Sequence, residues 1–124
     1  MLDSTFTPTL VIHTGTDDVH LADILATMRR WFADPQFDAG KPVLWDLRNA
    51  VIDTTPDDMA QWVESMLTAT NDNRAGQKTA WVLPNSDVAQ MAVDLLSSYD
   101  FRNKVRIYQN DIEAAEAWLT TTIR

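Results

Sequence analysis

The sequence contains no cysteine, which excludes disulfide bonds, thiolate metal sites and a cysteine nucleophile, and which fits a reducing compartment. Glycine is almost as scarce, with three residues in 124. The glycine-rich patterns of P-loops, dinucleotide-binding turns and serine-hydrolase elbows are all missing. The chain therefore lacks the usual first evidence for a nucleotide triphosphatase, a dinucleotide enzyme or a serine hydrolase.

Positive charge is also in short supply, with 10 Lys+Arg against 18 Asp+Glu and a net charge of −8. Such a chain repels phosphate backbones and anionic membranes at long range, so we expect no nucleic-acid partner. No stretch approaches the roughly 18 apolar residues that span a bilayer. The opening "MLDSTFTPTL" lacks the basic and apolar segments of a signal peptide. We expect a cytoplasmic protein without a transmembrane segment.

What is present is ordinary globular composition, with 45% hydrophobic and 23% charged residues. No Gly/Ser linker or low-complexity tract divides the chain, so residues 1–124 are predicted to form a single domain. A domain of this length buries roughly two-thirds of the surface that its unfolded chain exposes. A stable core is therefore possible without disulfides or a structural metal.

Short β-rich runs alternate with longer helical patterns, which is typical of βα units around a mostly parallel sheet. The runs are "TLVIHT" (9–14), "VLWDL" (43–47), "TAWVL" (79–83) and "KVRIY" (104–108). The predicted fold class is α/β, with a four- or five-stranded, mostly parallel sheet and about four helices on its two faces. Residues 1–14 are the candidate for an antiparallel edge.

Helix starts are marked by capping residues. Asp17 or Asp18 is a candidate N-cap for the first helix, and Asn110 for the last. The second helix is marked most clearly, because Thr55 is a preferred N-cap and Pro56 suits the first helical position. The first helix should end at Asp34-Pro35, since the residue before proline avoids the α region.

In folds of this class, sites lie outside the carboxyl ends of the strands. Asp46 could act there as a general base, but pairing with Arg48 or with backbone N–H groups is favoured. Thr55 could accept a phosphate, although a plain capping role is favoured for it too. The same rule nominates Asn49, Asp53, Thr54 and Gln109, while Asn85, Ser86 and Asn110 are more simply caps and turns.

The two histidines, His13 and His20, match no metal signature, and we expect neither a metal nor a cofactor. Arg102, Lys104 and Arg106 would share one side of the last strand, where charge that protects an edge against aggregation is favoured over an anion site. Most tryptophans fall on apolar faces and are predicted to pack in the core.

At "VLWDLRNAVIDTTPDDM" the chain resembles the strand–loop–helix of STAS domains, especially the small SpoIIAA-like, CRAL-TRIO-related bacterial proteins. "LVIHTGTDDVHLADIL" resembles their first strand, ending in Gly-x-x-Asp before a helix. "GQKTAWVLP" and "VRIYQNDIEAAEAWL" resemble their later elements. The resemblance covers nearly the whole chain and implies a STAS-like fold.

In STAS antagonists a serine at this helix start is phosphorylated and switches binding to an anti-sigma kinase. The matching residue here is Thr55, followed by Pro56 where the family has glycine. The SpoIIAA-like branch generally lacks the switch, and binding of lipid or another small apolar ligand has been suggested from its fold.

The leading hypothesis is a non-enzymatic regulatory or protein-interaction module with an unidentified protein partner. Its contact surface would be the first turn of the second helix and the adjoining loops, with these residues as interaction or phosphorylation candidates: Asp46, Asp53, Thr54, Thr55 and Asp57. The alternative is a lipid- or small-molecule-binding domain with an apolar pocket lined by Trp62, Met66 and Met91. Third is a small enzyme using Asp46. The sequence leaves a homodimer open.

Overall fold

The computed structural model describes residues 2–36, 41–52, 55–72, 78–84, 86–96 and 105–120, with the side chains at 56, 66–72, 88, 89 and 96 left out of the description. Nine elements follow one another along the chain: β1 (Leu2–Phe6), β2 (Val11–Val19), α1 (Leu21–Ala33), β3 (Val43–Ile52), α2 (Pro56–Asp72), β4 (Thr79–Leu83), α3 (Asp87–Leu96), β5 (Val105–Gln109) and α4 (Ile112–Thr120).

The five strands form one mixed sheet in the order β1-β2-β3-β4-β5. Strand β1 pairs antiparallel with β2, and the other three pairings are parallel. A short turn reverses the chain after β1, where the Thr7 hydroxyl accepts the N–H of Leu10 at 2.9 Å. The predicted fold class is therefore confirmed, including the antiparallel edge within residues 1–14.

The helices lie on both faces of the sheet, as predicted. Consecutive parallel strands joined by crossovers of one hand carry their helices on one face, which is the case for α1, α2 and α3. Their core side chains pack with Trp45, Leu47 and Trp81. Helix α4 follows the last strand and covers the other face, where it packs on Leu44 and Val82.

Strand β2 is longer than predicted, and this changes the start of α1. The ladder to β3 continues to the pair Val19–Ile52, and Val19 is fully buried. The prediction of Asp17 or Asp18 as the N-cap is wrong, because both residues belong to the strand. The N-cap is His20, whose backbone N–H donates to the Asp23 carboxylate at 3.0 Å.

Two other helix boundaries follow their capping residues. Helix α1 ends at Ala33, with Asp34 in extended conformation before the proline, as predicted. The prediction of Asn110 as the N-cap of α4 is wrong, because α4 begins at Ile112, one residue later than that cap requires. Asp111 caps it by accepting the N–H of Ala114 at 3.1 Å, while Asn110 adopts a left-handed φ of 56°.

Gly15 lies at an irregularity in the β2–β3 ladder. Thr14 pairs with Asp46 and Thr16 with Asn49, so β3 carries one extra residue opposite Gly15. A Cβ atom on Gly15 would lie 2.5 Å from Cδ2 of Leu47, a fully buried side chain. Glycine is therefore required at this bulge, because a side chain there would collide with Leu47.

Candidate functional site

Asp46 and Arg48 form a two-point ion pair on the α4 face of the sheet. The guanidinium donates through Nε to Oδ1 at 2.9 Å and through Nη2 to Oδ2 at 3.0 Å. The hydrogen bond from Arg48 lowers the pKa of the Asp46 carboxyl, against the opposing effect of its partial burial. A carboxylate held ionised in this way is a weak base at neutral pH. This geometry supports the structural interpretation of Asp46 over a catalytic one.

The start of α2 has the capping geometry expected from the sequence. The Thr55 hydroxyl accepts the N–H of Asp58 at 3.2 Å, and its carbonyl accepts the N–H of Met59 at 2.9 Å. Thr55 and Asp57 are both exposed. Asp53 and Thr54 lie outside the described residues. The Asp46 side chain lies away from this turn. Side chains alternate along β3, so that Trp45 and Leu47 face α1–α3 and Asp46 faces α4.

The carboxyl ends of β2 and β3, together with the start of α2, form a surface that we call the acidic end; its exposed residues are Asp17, Asp18, Val51, Thr55 and Asp57. Asp18 and Val51 are neighbours in the β2–β3 ladder. The stretches 16–28 and 49–73 contain no lysine or arginine. Val51 is 61% exposed, which is exceptional for a large hydrophobic side chain among the residues described.

An apolar cavity lies between the sheet and the three helices of the α1–α3 face, with about 30 Å³ accessible to water. It is lined by Leu21, Ile24, Leu47, Ile52, Met59, Trp62, Trp81, Leu83 and Ala92. Trp62 is thus one of its walls, as the pocket hypothesis proposed. Met91 packs against the same core without lining the cavity, and the Met66 side chain lies outside the description.

Four aromatic rings form a row across the α1–α3 face of the sheet. His13 lies 4.3 Å from Trp45 between ring centroids, Trp45 stacks on Trp81 at 4.4 Å, and Trp62 meets Trp81 edge-on at 4.9 Å. The cross-strand register, which pairs residue 13 with 45 and 45 with 81, produces the row. It connects the apolar cavity, at Trp62 and Trp81, with the β1–α1 side of the sheet.

A wider depression of about 270 Å³, which we call the β1–α1 groove, lies at the other end of this row. It is lined by Leu2, Asp3, Ser4, Phe6, His13, Thr27, Arg30, Trp31 and Asp34. Sequence reasoning missed it, because β1 was placed only as a candidate edge. The available signal was the helical spacing of Thr27, Arg30 and Asp34 on one side of α1.

His13 forms the floor of the β1–α1 groove and is only 1% exposed. Its Nδ1 atom shares a hydrogen bond of 2.8 Å with the Ser4 hydroxyl across the β1–β2 ladder. Burial, helped by the nearby Arg30 charge, lowers the pKa of the imidazole to about 4. His13 is therefore neutral at physiological pH, and its buried Nε2 has no hydrogen-bond partner within the described part of the chain.

No family model matches the chain, and a search of curated proteins finds no match. Within the described residues, no helix is both long and apolar enough to cross a membrane. No group of three or more metal-ligating side chains occurs among those residues either.

Proposed function

We propose that this protein is a non-enzymatic interaction module, and that its acidic end binds a basic surface on a protein partner. The observation that carries the proposal is Val51, a large apolar side chain left 61% exposed beside Asp18 in the β2–β3 ladder. Interfaces commonly combine an apolar contact with charges that steer a partner of opposite sign. The acidic end offers both, without a lysine or arginine in residues 16–28 or 49–73.

The resemblance to STAS and SpoIIAA-like domains is the reason for proposing a regulatory role. We propose that the chain is a STAS-like domain, with Thr55 as its candidate phosphorylation site. The exposed position of Thr55 at the start of α2 supports this, because added negative charge is favoured at a helix N-terminus. One part of the resemblance fits less well: Gly15 lies inside β2, and four strand residues follow it.

The test is capture of a partner from lysate by the whole chain, with the captured protein identified by mass spectrometry. We expect a basic partner whose capture falls as salt is raised, since exposed charges are screened. Val51→Asp and Asp57→Lys should abolish capture. Asp34→Lys is the matched control, because Asp34 follows the end of α1 and so lies at the opposite end of the parallel strands. Equal capture by all variants, including Thr55→Ala and Thr55→Glu, would refute the proposal.

A second candidate function, binding of a small apolar ligand, is favoured by the apolar cavity. The Nε1 atoms of Trp62 and Trp81 are buried and lack a hydrogen-bond partner among the described residues. An unmade buried hydrogen bond costs about 1–3 kcal/mol, so a ligand carrying an acceptor would be stabilised there. Typical ligand pockets occupy roughly 300–1,000 Å³. A cavity of about 30 Å³ requires the helices to move apart first.

Native mass spectrometry of the protein purified gently from cells tests this second function. We expect an added mass that Trp62→Phe reduces, because phenylalanine keeps an aromatic wall and removes the N–H donor. Trp118→Phe, on the α4 face, is the control and should retain the ligand. The mass of the bare chain in every preparation would contradict the idea.

A further inference from the structure

The β1–α1 groove has the walls of a small-molecule site. Its volume of about 270 Å³ is close to the lower end of ligand pockets, roughly 300 Å³. Phe6 and Trp31 form an aromatic wall, with ring centroids 5.5 Å apart, and Leu2 adds further apolar surface. An apolar body of a few carbon atoms would be shielded from water there.

Arg30 is held in place on one side of this groove. Its Nη2 donates to the Thr27 hydroxyl at 3.0 Å, and that hydroxyl in turn donates to the carbonyl of Asp23 at 2.9 Å. Thr27 is 2% exposed, so a buried side chain orients an exposed guanidinium. No carboxylate lies within 4.0 Å of the Arg30 guanidinium in the described part of the chain. The exposed guanidinium therefore has no ion-pair partner among the described residues.

Negative charge lies on the same rim. Asp34 is oriented by the N–H of Gln36, which donates to its Oδ1 at 2.7 Å, and it lines the groove. A simple anion would meet this carboxylate, and a simple cation would meet Arg30. A molecule carrying both charges finds a partner for each.

We propose that the β1–α1 groove binds a small zwitterion with an apolar side chain, of the α-amino-acid type. The ligand carboxylate pairs with Arg30 and accepts a hydrogen bond from the Ser4 hydroxyl, the ammonium lies toward Asp34, and the side chain packs on Phe6 and Trp31. This site is separate from the acidic end, and the inference goes beyond the proposed function.

The experiment is an NMR titration of the ¹⁵N-labelled chain with L-phenylalanine. We expect saturable shifts at the amides of Ser4, Thr27 and Arg30. Two matched probes each lack one charge: 3-phenylpropanoate has no ammonium, and 2-phenylethylamine has no carboxylate. Each should bind roughly ten-fold more weakly or worse, because one charge-assisted hydrogen bond is lost.

Substitutions in the groove test which residue pairs with which charge of the ligand. Arg30→Gln and Asp34→Asn should each weaken L-phenylalanine roughly ten-fold, while the neighbouring exposed residue provides the control, Arg29→Gln, which should change nothing. Four results would overturn the proposal: no saturable shift, equal binding of a singly charged probe, equal loss in Arg29→Gln, or shifts confined to the apolar cavity around Trp62 and Trp81.

Discussion

The two faces of the sheet differ in whether their polar groups have ion-pair or hydrogen-bond partners. On the α4 face, Asp46 pairs with Arg48, and the Arg106 guanidinium lies over the Trp118 ring at 4.7 Å. On the α1–α3 face, Nε2 of His13 and Nε1 of Trp62 and Trp81 are buried without hydrogen-bond partners in the described structure. Unmade buried hydrogen bonds cost free energy, and such groups concentrate at functional sites. From this contrast we infer that the α4 face stabilises the fold and that the α1–α3 face is the side on which a ligand would bind.

The largest expected effect comes from the centre of the ring row. Trp81→Ala should lower the free energy of unfolding by about 3–5 kcal/mol, since Trp81 is 1% exposed and touches two other indoles. Urea unfolding measures it, and Trp81→Phe gives a readable value if the alanine variant does not fold. Trp118→Ala, at the edge of the α4 face, should cost less. An equal loss of unfolding free energy in Trp81→Ala and Trp118→Ala would contradict the difference between the two faces.

The next effect depends on pH. The pKa of His13 is about 4 in the folded protein and 6.5 when unfolded, so the unfolded chain binds the proton first as pH falls. Stability contributed by neutral His13 is fully present above about pH 6.5 and is lost between 6.5 and 4, by about 3 kcal/mol in total.

Urea unfolding of the wild type and His13→Phe across that range isolates this contribution. The phenylalanine variant should lose the slope, while Ser4→Ala, which keeps the imidazole, should retain it. Asp46 contributes differently, because its pKa is lowered from the ordinary value of 3.8. The stability that ionised Asp46 contributes is present above that value and is lost only as the pH falls below it. A wild-type slope unchanged in His13→Phe would contradict the assignment.

The bulge provides a smaller test. Gly15→Ala should cost about 1–3 kcal/mol, because the new methyl group must displace the fully buried Leu47 side chain. Gly15→Ala combined with Leu47→Ala should recover part of this cost, and a double-mutant cycle of urea midpoints measures the coupling. Additive effects would mean that the two side chains do not meet.

The smallest effects belong to local polar contacts. Thr55→Ala should cost about 1 kcal/mol through loss of the cap, and Thr55→Ser almost nothing. The coupling of Asp46 with Arg48 should be about 1 kcal/mol or less, since both side chains keep contact with water. Thermal unfolding in low and high salt separates them: only the ion pair should weaken with salt.

The sequence was a good guide where one local signal decides the structure. Thr55-Pro56 marked the start of α2, Asp34-Pro35 marked the end of α1, and the β-rich run around Trp81 marked a strand of the sheet. It misled at Asp17 and Asp18, because their capping preference lost to the ladder that β2 extends along β3. Propensity is a weak prior against such tertiary pairing.

The candidate site was less predictable than the fold. Separating Asp46 from Thr55 needed the strand alternation, which turns Asp46 toward α4. The β1–α1 groove needed the register that sets Ser4 beside His13. Such proximities depend on pairing between distant segments, which a pattern within one segment does not contain.

The most direct test of the account is the titration of the His13 ring by ¹⁵N NMR. This imidazole lies, neutral and hydrogen-bonded to Ser4, on the floor of the β1–α1 groove and at the end of the ring row. We expect it to stay neutral down to a pKa of about 4. Protonation near 6.5, as for a histidine in water, would contradict it.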